Sequence, residues 1–152
     1  MRILTIAVIF AAYGMAFAQK PEPIKVYCFS ADLEAGFKDG NALFYCKQLA
    51  KQGQKKKSLA IVEDKSTAHA IVEYMGVEQL TSRGEATYLN YGIAWTPNQD
   101  ETREAAIIKV GEFAKDFSGS GINAQAAMEL VRKTESWIRE NREVILQKAK
   151  QK

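Results

Sequence analysis

From Ala124 to about Ala149 the chain repeats apolar or small side chains at three- and four-residue steps: Ala127, Val131, Thr134, Ile138, Asn141 and Ile145, with Met128, Leu130 and Trp137 widening the stripe. This is the periodicity of a single amphipathic helix, roughly 39 Å long at 1.5 Å per residue. A helix with such a stripe must bury it, and a surface of that length is most simply a sheet. The rest of the chain has to supply one. Asn123 is placed to cap this helix, and Lys148, Lys150 and Lys152 near its end carry the sign that the helix dipole favours.

The β-rich runs upstream fit that demand. Ile24–Ala31 is apolar on both faces, as in a strand inside a sheet. The stretch DLEAGFKDGN reads as a loop, followed by a helix over Ala42–Gln52 with Asn41 as N-cap and Gly53 as its stop. QKKKS reads as a solvated turn; its lysines also invite a phosphate- or lipid-binding reading. Strands are expected over Ser58–Glu63, His69–Leu80, Glu85–Thr96, Thr102–Val110 and Glu112–Ser118. Ser82-Arg83-Gly84 and Pro97–Asp100 are expected to be turns, and Ser118-Gly-Ser-Gly121 a flexible hinge before the last helix. The order is β-α-β-β-β-β-β-α. It predicts an α+β domain: a mixed, mostly antiparallel sheet with a parallel βαβ start, covered by a short helix and a long C-terminal one.

The folding unit begins well inside the chain. Arg2, the apolar run Ile3–Tyr13 and the small residues Ala16-Phe17-Ala18 have the three-part layout of a secretory signal, cut between Ala18 and Gln19. The run is shorter than the roughly 20 apolar residues a spanning helix needs. Residues 1–18 are thus expected to be a cleaved signal, 19–23 an extended leader with Pro21 and Pro23, and 24–152 one domain. No later segment is long and apolar enough to span a bilayer, so none is expected after signal removal. Without Arg2 the chain has 20 basic and 18 acidic residues. That balance argues against a nucleic-acid partner, which calls for a concentrated basic face.

Cys28 and Cys46 are the two cysteines. Export favours a disulfide between the first strand and first helix, closing a loop worth about 3 kcal/mol in the chain-entropy model. Two buried thiols acting as small hydrophobes is the other reading.

The stretch Ser58-Leu-Ala-Ile-Val-Glu-Asp-Lys-Ser-Thr-Ala-His-Ala-Ile-Val-Glu73 carries a resemblance. It resembles exported envelope proteins of the CsgG, TolB N-terminal and LpoB type, in which a buried strand, an acidic turn and a second apolar strand precede a meander and a closing helix. Ala68 matches their pattern; His69 stands where an Asp is expected. ESWIRENREVIL is similar to the closing helices of small secreted bacterial proteins. The resemblance implies a periplasmic or secreted domain used in envelope assembly or protein binding.

Little in the chain points to catalysis. His69, the single histidine, has no G-x-S-x-G elbow to serve. One histidine and two cysteines fall short of a zinc set, and no cofactor motif occurs, so no metal, cofactor or catalytic residue is assigned. Glu63-Asp64 and Glu101/Glu104 read as surface acids; as a pair, such carboxylates would serve a glycosidase-like hydrolase. Tyr74, Tyr88, Tyr91 and Trp95 read first as core and second as a stacking surface. The expected function is a non-enzymatic binding or envelope-assembly module with an envelope or secreted protein as partner. The alternative is a small secreted hydrolase using paired carboxylates.

Overall fold

A computed structural model of the chain describes residues 21–81, 86–89, 92–95, 100–122 and 124–151. The expected signal with its Ala18/Gln19 cut, the Ser82–Gly84 turn, Pro97–Gln99 and the Asn123 cap lie outside these residues.

Strand β1 (Ile24–Ser30) leads through a short helix α1 (Ala31–Glu34) to helix α2 (Gly40–Lys56) and strand β2 (Leu59–Ile61). After a 3₁₀ turn at Lys65–Thr67 come β3 (Ala70–Thr81), β4 (Ala86–Leu89), β5 (Gly92–Trp95), β6 (Asp100–Val110) and β7 (Phe113–Ile122). Helices α3 (Gln125–Glu140) and α4 (Arg142–Ala149) close the chain. The five-stranded sheet has the order β2-β1-β3-β6-β7. β1 pairs in parallel with β2 and β3, whereas β3–β6 and β6–β7 are antiparallel. The expected α+β fold and its parallel βαβ start are therefore present. The expected strand Glu85–Thr96 is instead two short ones, β4 and β5, paired with each other apart from the main sheet.

One face of the sheet holds the core. Ile24, Val26, Ala70, Val72, Tyr74, Ala106, Ile108 and Val110 are buried beneath Tyr45 and Leu49 of α2, Leu130, Val131 and Ile138 of α3, and Ile145 of α4. Each large side chain removed from water contributes about 1.5–3 kcal/mol. Met128, placed on the stripe by periodicity, is exposed, and Trp137 is half-buried, stacked on Phe113 at 5.7 Å. On the opposite face Tyr27 stacks on Phe29, and Lys65 from the crossing between β2 and β3 lies 4.8 Å from the Phe29 ring centre.

Several boundaries differ from the sequence reading for identifiable reasons. DLEAGFKDGN is not all loop: it carries most of α1, capped by the Ser30 hydroxyl, which accepts from the Leu33 N–H at 3.3 Å, and the first two residues of α2. The cap of α2 is Asp39, accepting from the Ala42 N–H at 3.0 Å, not Asn41. Gly53 does not end α2. It lies inside the helix where the side chain of Leu59 presses on the backbone, so a Cβ there would collide. The helix instead runs through the lysines to Lys57, left-handed at φ 55°. The Ser58 N–H reaches Gly53 O and the Lys57 N–H reaches Gln54 O, as in a Schellman stop. Ser118-Gly-Ser-Gly121 is not a hinge but part of β7. A Cβ at Gly119 would meet the Ala126 carbonyl of α3, so the glycine is there for close packing. The long C-terminal helix breaks at Asn141, whose side-chain amide and backbone N–H both donate to Trp137 O at 2.9 Å.

Candidate functional site

Cys28 and Cys46 form a disulfide, with Cα atoms 5.8 Å apart, and the bond ties α2 to β1. It settles the choice left open by the sequence and fits an oxidising compartment. Further support comes from α3. The Tyr45 hydroxyl donates to Thr134 Oγ1 at 2.9 Å, and Lys56 Nζ lies 3.1 Å from the fully buried carboxylate of Glu135. Arg139 reaches the same carboxylate at 3.5 Å. Burial drives the Tyr45 phenol pKa upward, keeping it neutral.

Beside this braced end of α2, strand β2 forms one edge of the sheet. Ser58 O accepts from Ile24 N–H, and Val62 N–H donates to Val26 O, with Ala60 opposite Lys25. In a parallel ladder this turns the Ala60 backbone groups toward β1 and those of Leu59 and Ile61 away from it. Against that outer edge lies a mostly apolar groove of about 810 Å³, walled by Pro21 and Pro23, by Ala50 and Gln54 of α2, and by Leu59–Ile61. Lys57 stands at its rim with Glu22. No feature of the sequence announced this groove, because it depends on β2 falling at the end of the strand order. The QKKKS lysines were the only local signal near it.

A second, smaller pocket of about 240 Å³ opens where β1 ends beside the middle of β3, lined by Ser30, Asp32, Asp39, Glu73, Tyr74 and Gly76. Ser30 Oγ donates to Asp39 Oδ2 at 2.8 Å. A bulge between Tyr74 and Gly76 bends β3 there. Behind Tyr74 sits Glu104, expected on the surface and found only 7% exposed. It falls on the core face because β6 alternates and Glu104 shares a side with Ala106 and Ile108. Burial raises its carboxyl pKa, and the field of Asp39 adds to the rise, while the neighbouring Tyr74 phenol opposes it. Burial and Glu104 push the Tyr74 phenol pKa up in turn. Neither the Tyr74 hydroxyl nor Glu104 Oε2 makes a well-formed hydrogen bond.

The other sequence candidates are dispersed. His69 precedes β3, its Nδ1 accepting from the Lys25 N–H at 3.2 Å while its own N–H donates to Lys25 O at 2.8 Å. Asp64 caps the 3₁₀ turn through Ser66, and these bonds lower its pKa. Glu63 is exposed. Tyr74 is core, tilted against Tyr45 at 5.4 Å; Tyr91 and the side chains of Tyr88, Trp95 and Glu101 lie outside the described residues. Among the described residues no cluster of three or more His, Cys, Asp or Glu could hold a metal, and no helix is long and apolar enough to cross a membrane.

No family model matches the chain, and no curated protein matches it. Among solved structures, the rare lipoprotein B from Shewanella oneidensis matches with 11% identity over 81% of this chain and 91% of that one, at a TM-score of 0.38. The chain therefore bears a distant resemblance to a solved lipoprotein, too loose to transmit a role.

Proposed function

We propose that the chain is an exported, non-enzymatic binding module that takes an extended segment of an envelope or secreted partner protein in the groove beside β2. The observation that carries this reading is the pairing of two features at one place. Among the described residues no strand pairs with the outer side of β2, where Ile61 turns its N–H and C=O away from β1, and the apolar groove of about 810 Å³ lies alongside it. An added strand would gain main-chain hydrogen bonds from the first and side-chain burial from the second. The disulfide and the Lys56–Glu135 pair hold the α2 wall before a partner arrives, which lowers the ordering cost of binding. Export follows from the N-terminal signal layout and agrees with the disulfide. The paired-carboxylate hydrolase has less support: Glu104 lines neither the groove nor the smaller pocket, and of the acids that line the smaller pocket Asp39 is engaged as the α2 cap and Glu73 with Lys109.

A photo-crosslinking residue at Gln54 or Ala60, in the protein within its own envelope fraction, tests the reading. One discrete protein adduct at both positions, absent when the crosslinker stands at Lys115 on the opposite edge strand, is the expected result. Identical adducts from the two edges, or none from the groove, would sink it.

A further inference from the structure

Helix α2, GNALFYCKQLAKQGQKK, contains no acidic residue. Its inward arc holds Ala42, Tyr45, Leu49 and Gly53, all buried, and Cys46 of the disulfide. At about 100° per residue, Leu43, Lys47, Lys51 and Lys55 fall in one row on the opposite arc, with Phe44 beside it. The lysines stand about 6 Å apart along the axis. Leu43 is 55% exposed and Phe44 38%, and Phe37, just ahead of the helix, is 68% exposed. Among the described residues the Lys47, Lys51 and Lys55 side chains make no ion pair or hydrogen bond; Lys56, which turns inward, is the one that finds Glu135.

We propose that this outward face of α2 docks the protein on an anionic bilayer, the lysine row against lipid phosphates and Phe37, Leu43 and Phe44 in the headgroup layer. Two observations favour a bilayer over an acidic protein or a discrete anion. The face is convex and carries bare lysines without an arginine fork, which suits a diffuse sheet of charge better than one fixed anion. Two large exposed apolar side chains, Leu43 and Phe44, share this face with the cationic row, with the exposed Phe37 just ahead of the helix, the combination by which a helix lies at a membrane interface. The face is held rigid from behind by the disulfide, so docking orders little new structure. The surface adjoins the groove beside β2 at Gln54 but shares no lining residue with it, so the substitutions named below leave the groove wall intact.

The chain as purified after export is mixed with vesicles of phosphatidylcholine alone or with added phosphatidylglycerol, and the pelleted fraction is read. Binding is expected only to the anionic vesicles and is expected to weaken as salt rises. The triple variant Lys47→Gln, Lys51→Gln, Lys55→Gln should bind roughly 100-fold more weakly, at about tenfold or less per lysine near an anionic surface. Its melting should not change, because none of the three side chains holds the fold. The pair Leu43→Ser, Phe44→Ser should remove the part of binding that survives high salt. Equal binding to both vesicle types, no binding to either, or a triple variant that binds like the parent would overturn the proposal. So would displacement by inorganic phosphate beyond that caused by chloride of equal ionic strength, which would mark a discrete phosphate site.

Discussion

Glu104 and His69 carry shifts whose consequences for stability run in opposite directions. Burial raises the Glu104 carboxyl pKa, so above the unfolded value, about 4.3, the fold binds more protons at this site than the open chain does. Its contribution is therefore greatest in acid and is lost as pH rises through the folded value. Glu104→Gln, which removes the buried charge, should raise Tm at neutral pH by a few degrees and leave it nearly unchanged near pH 4. A variant that melts lower at neutral pH would mean the ionised carboxylate has a partner the phenol of Tyr74 does not supply. His69 behaves the other way. Burial lowers its pKa below 6.5, aided by Lys25 and Arg142, and the Lys25 N–H donates to the unprotonated Nδ1. Here the unfolded chain binds more protons, so stability is complete above about pH 6.5 and falls as pH drops toward the folded value. Thermal melts across that window should show the acid-side fall in the parent and not in His69→Gln, whose amide oxygen could accept the same bond. A fall of equal size in both would assign it elsewhere.

Elements were legible in the sequence where a local rule determined them, and not where a neighbour did. β1 follows from an apolar run covered on both faces, and the buried face of α3 from its helical stripe, because burial imposes those patterns. Gly53 and Gly119 read as punctuation because glycine usually is; their reason is the approach of Leu59 and of the Ala126 carbonyl, which only the fold reveals. Asp39 was hidden as a cap by Asn41 two residues on, an equally good capping type. The disulfide lay between these cases, since two cysteines in an exported chain allow a bond but do not set the Cα separation. With Cys28 and Cys46 bonded across a separation of 18 residues, its loss should be felt chiefly as freedom of the unfolded chain. Cys28→Ser with Cys46→Ser should cost about 3 kcal/mol in denaturant unfolding, with the far-ultraviolet spectrum kept. The same loss should appear on reduction of the parent, and a reduced parent that unfolds at the oxidised midpoint would show that the bond does not constrain the chain.

At the scale of the molecule, the sequence could order the strands along the chain but not across the sheet. That β2 is an edge, and so that a groove beside it meets open backbone, follows from β3 choosing the far side of β1, a long-range pairing with no local signature. What makes one molecule of these parts is α3. It packs on β6 and β7 and is joined to α2 through Thr134–Tyr45 and Glu135–Lys56. Ile138 sits fully buried where these surfaces meet, in one core cluster with Ile24, Leu49 and Ile108. Ile138→Asp would remove about 1.5–3 kcal/mol of apolar burial. It would also place a carboxylate in that core with no cation provided for it, which commonly costs several kcal/mol more. Against a total of about 5–15 kcal/mol for a domain of this kind, the sum should abolish cooperative unfolding at room temperature. The disulfide, still intact, would keep β1 tethered to α2, so the product should be a compact chain with helical signal but no sharp melt. Differential scanning calorimetry of Ile138→Asp beside Ile138→Val decides it. The conservative change should keep a single transition, lowered by about 0.5–1.5 kcal/mol of stability. A sharp transition retained by the aspartate variant would show that the sheet and α2 hold together without α3.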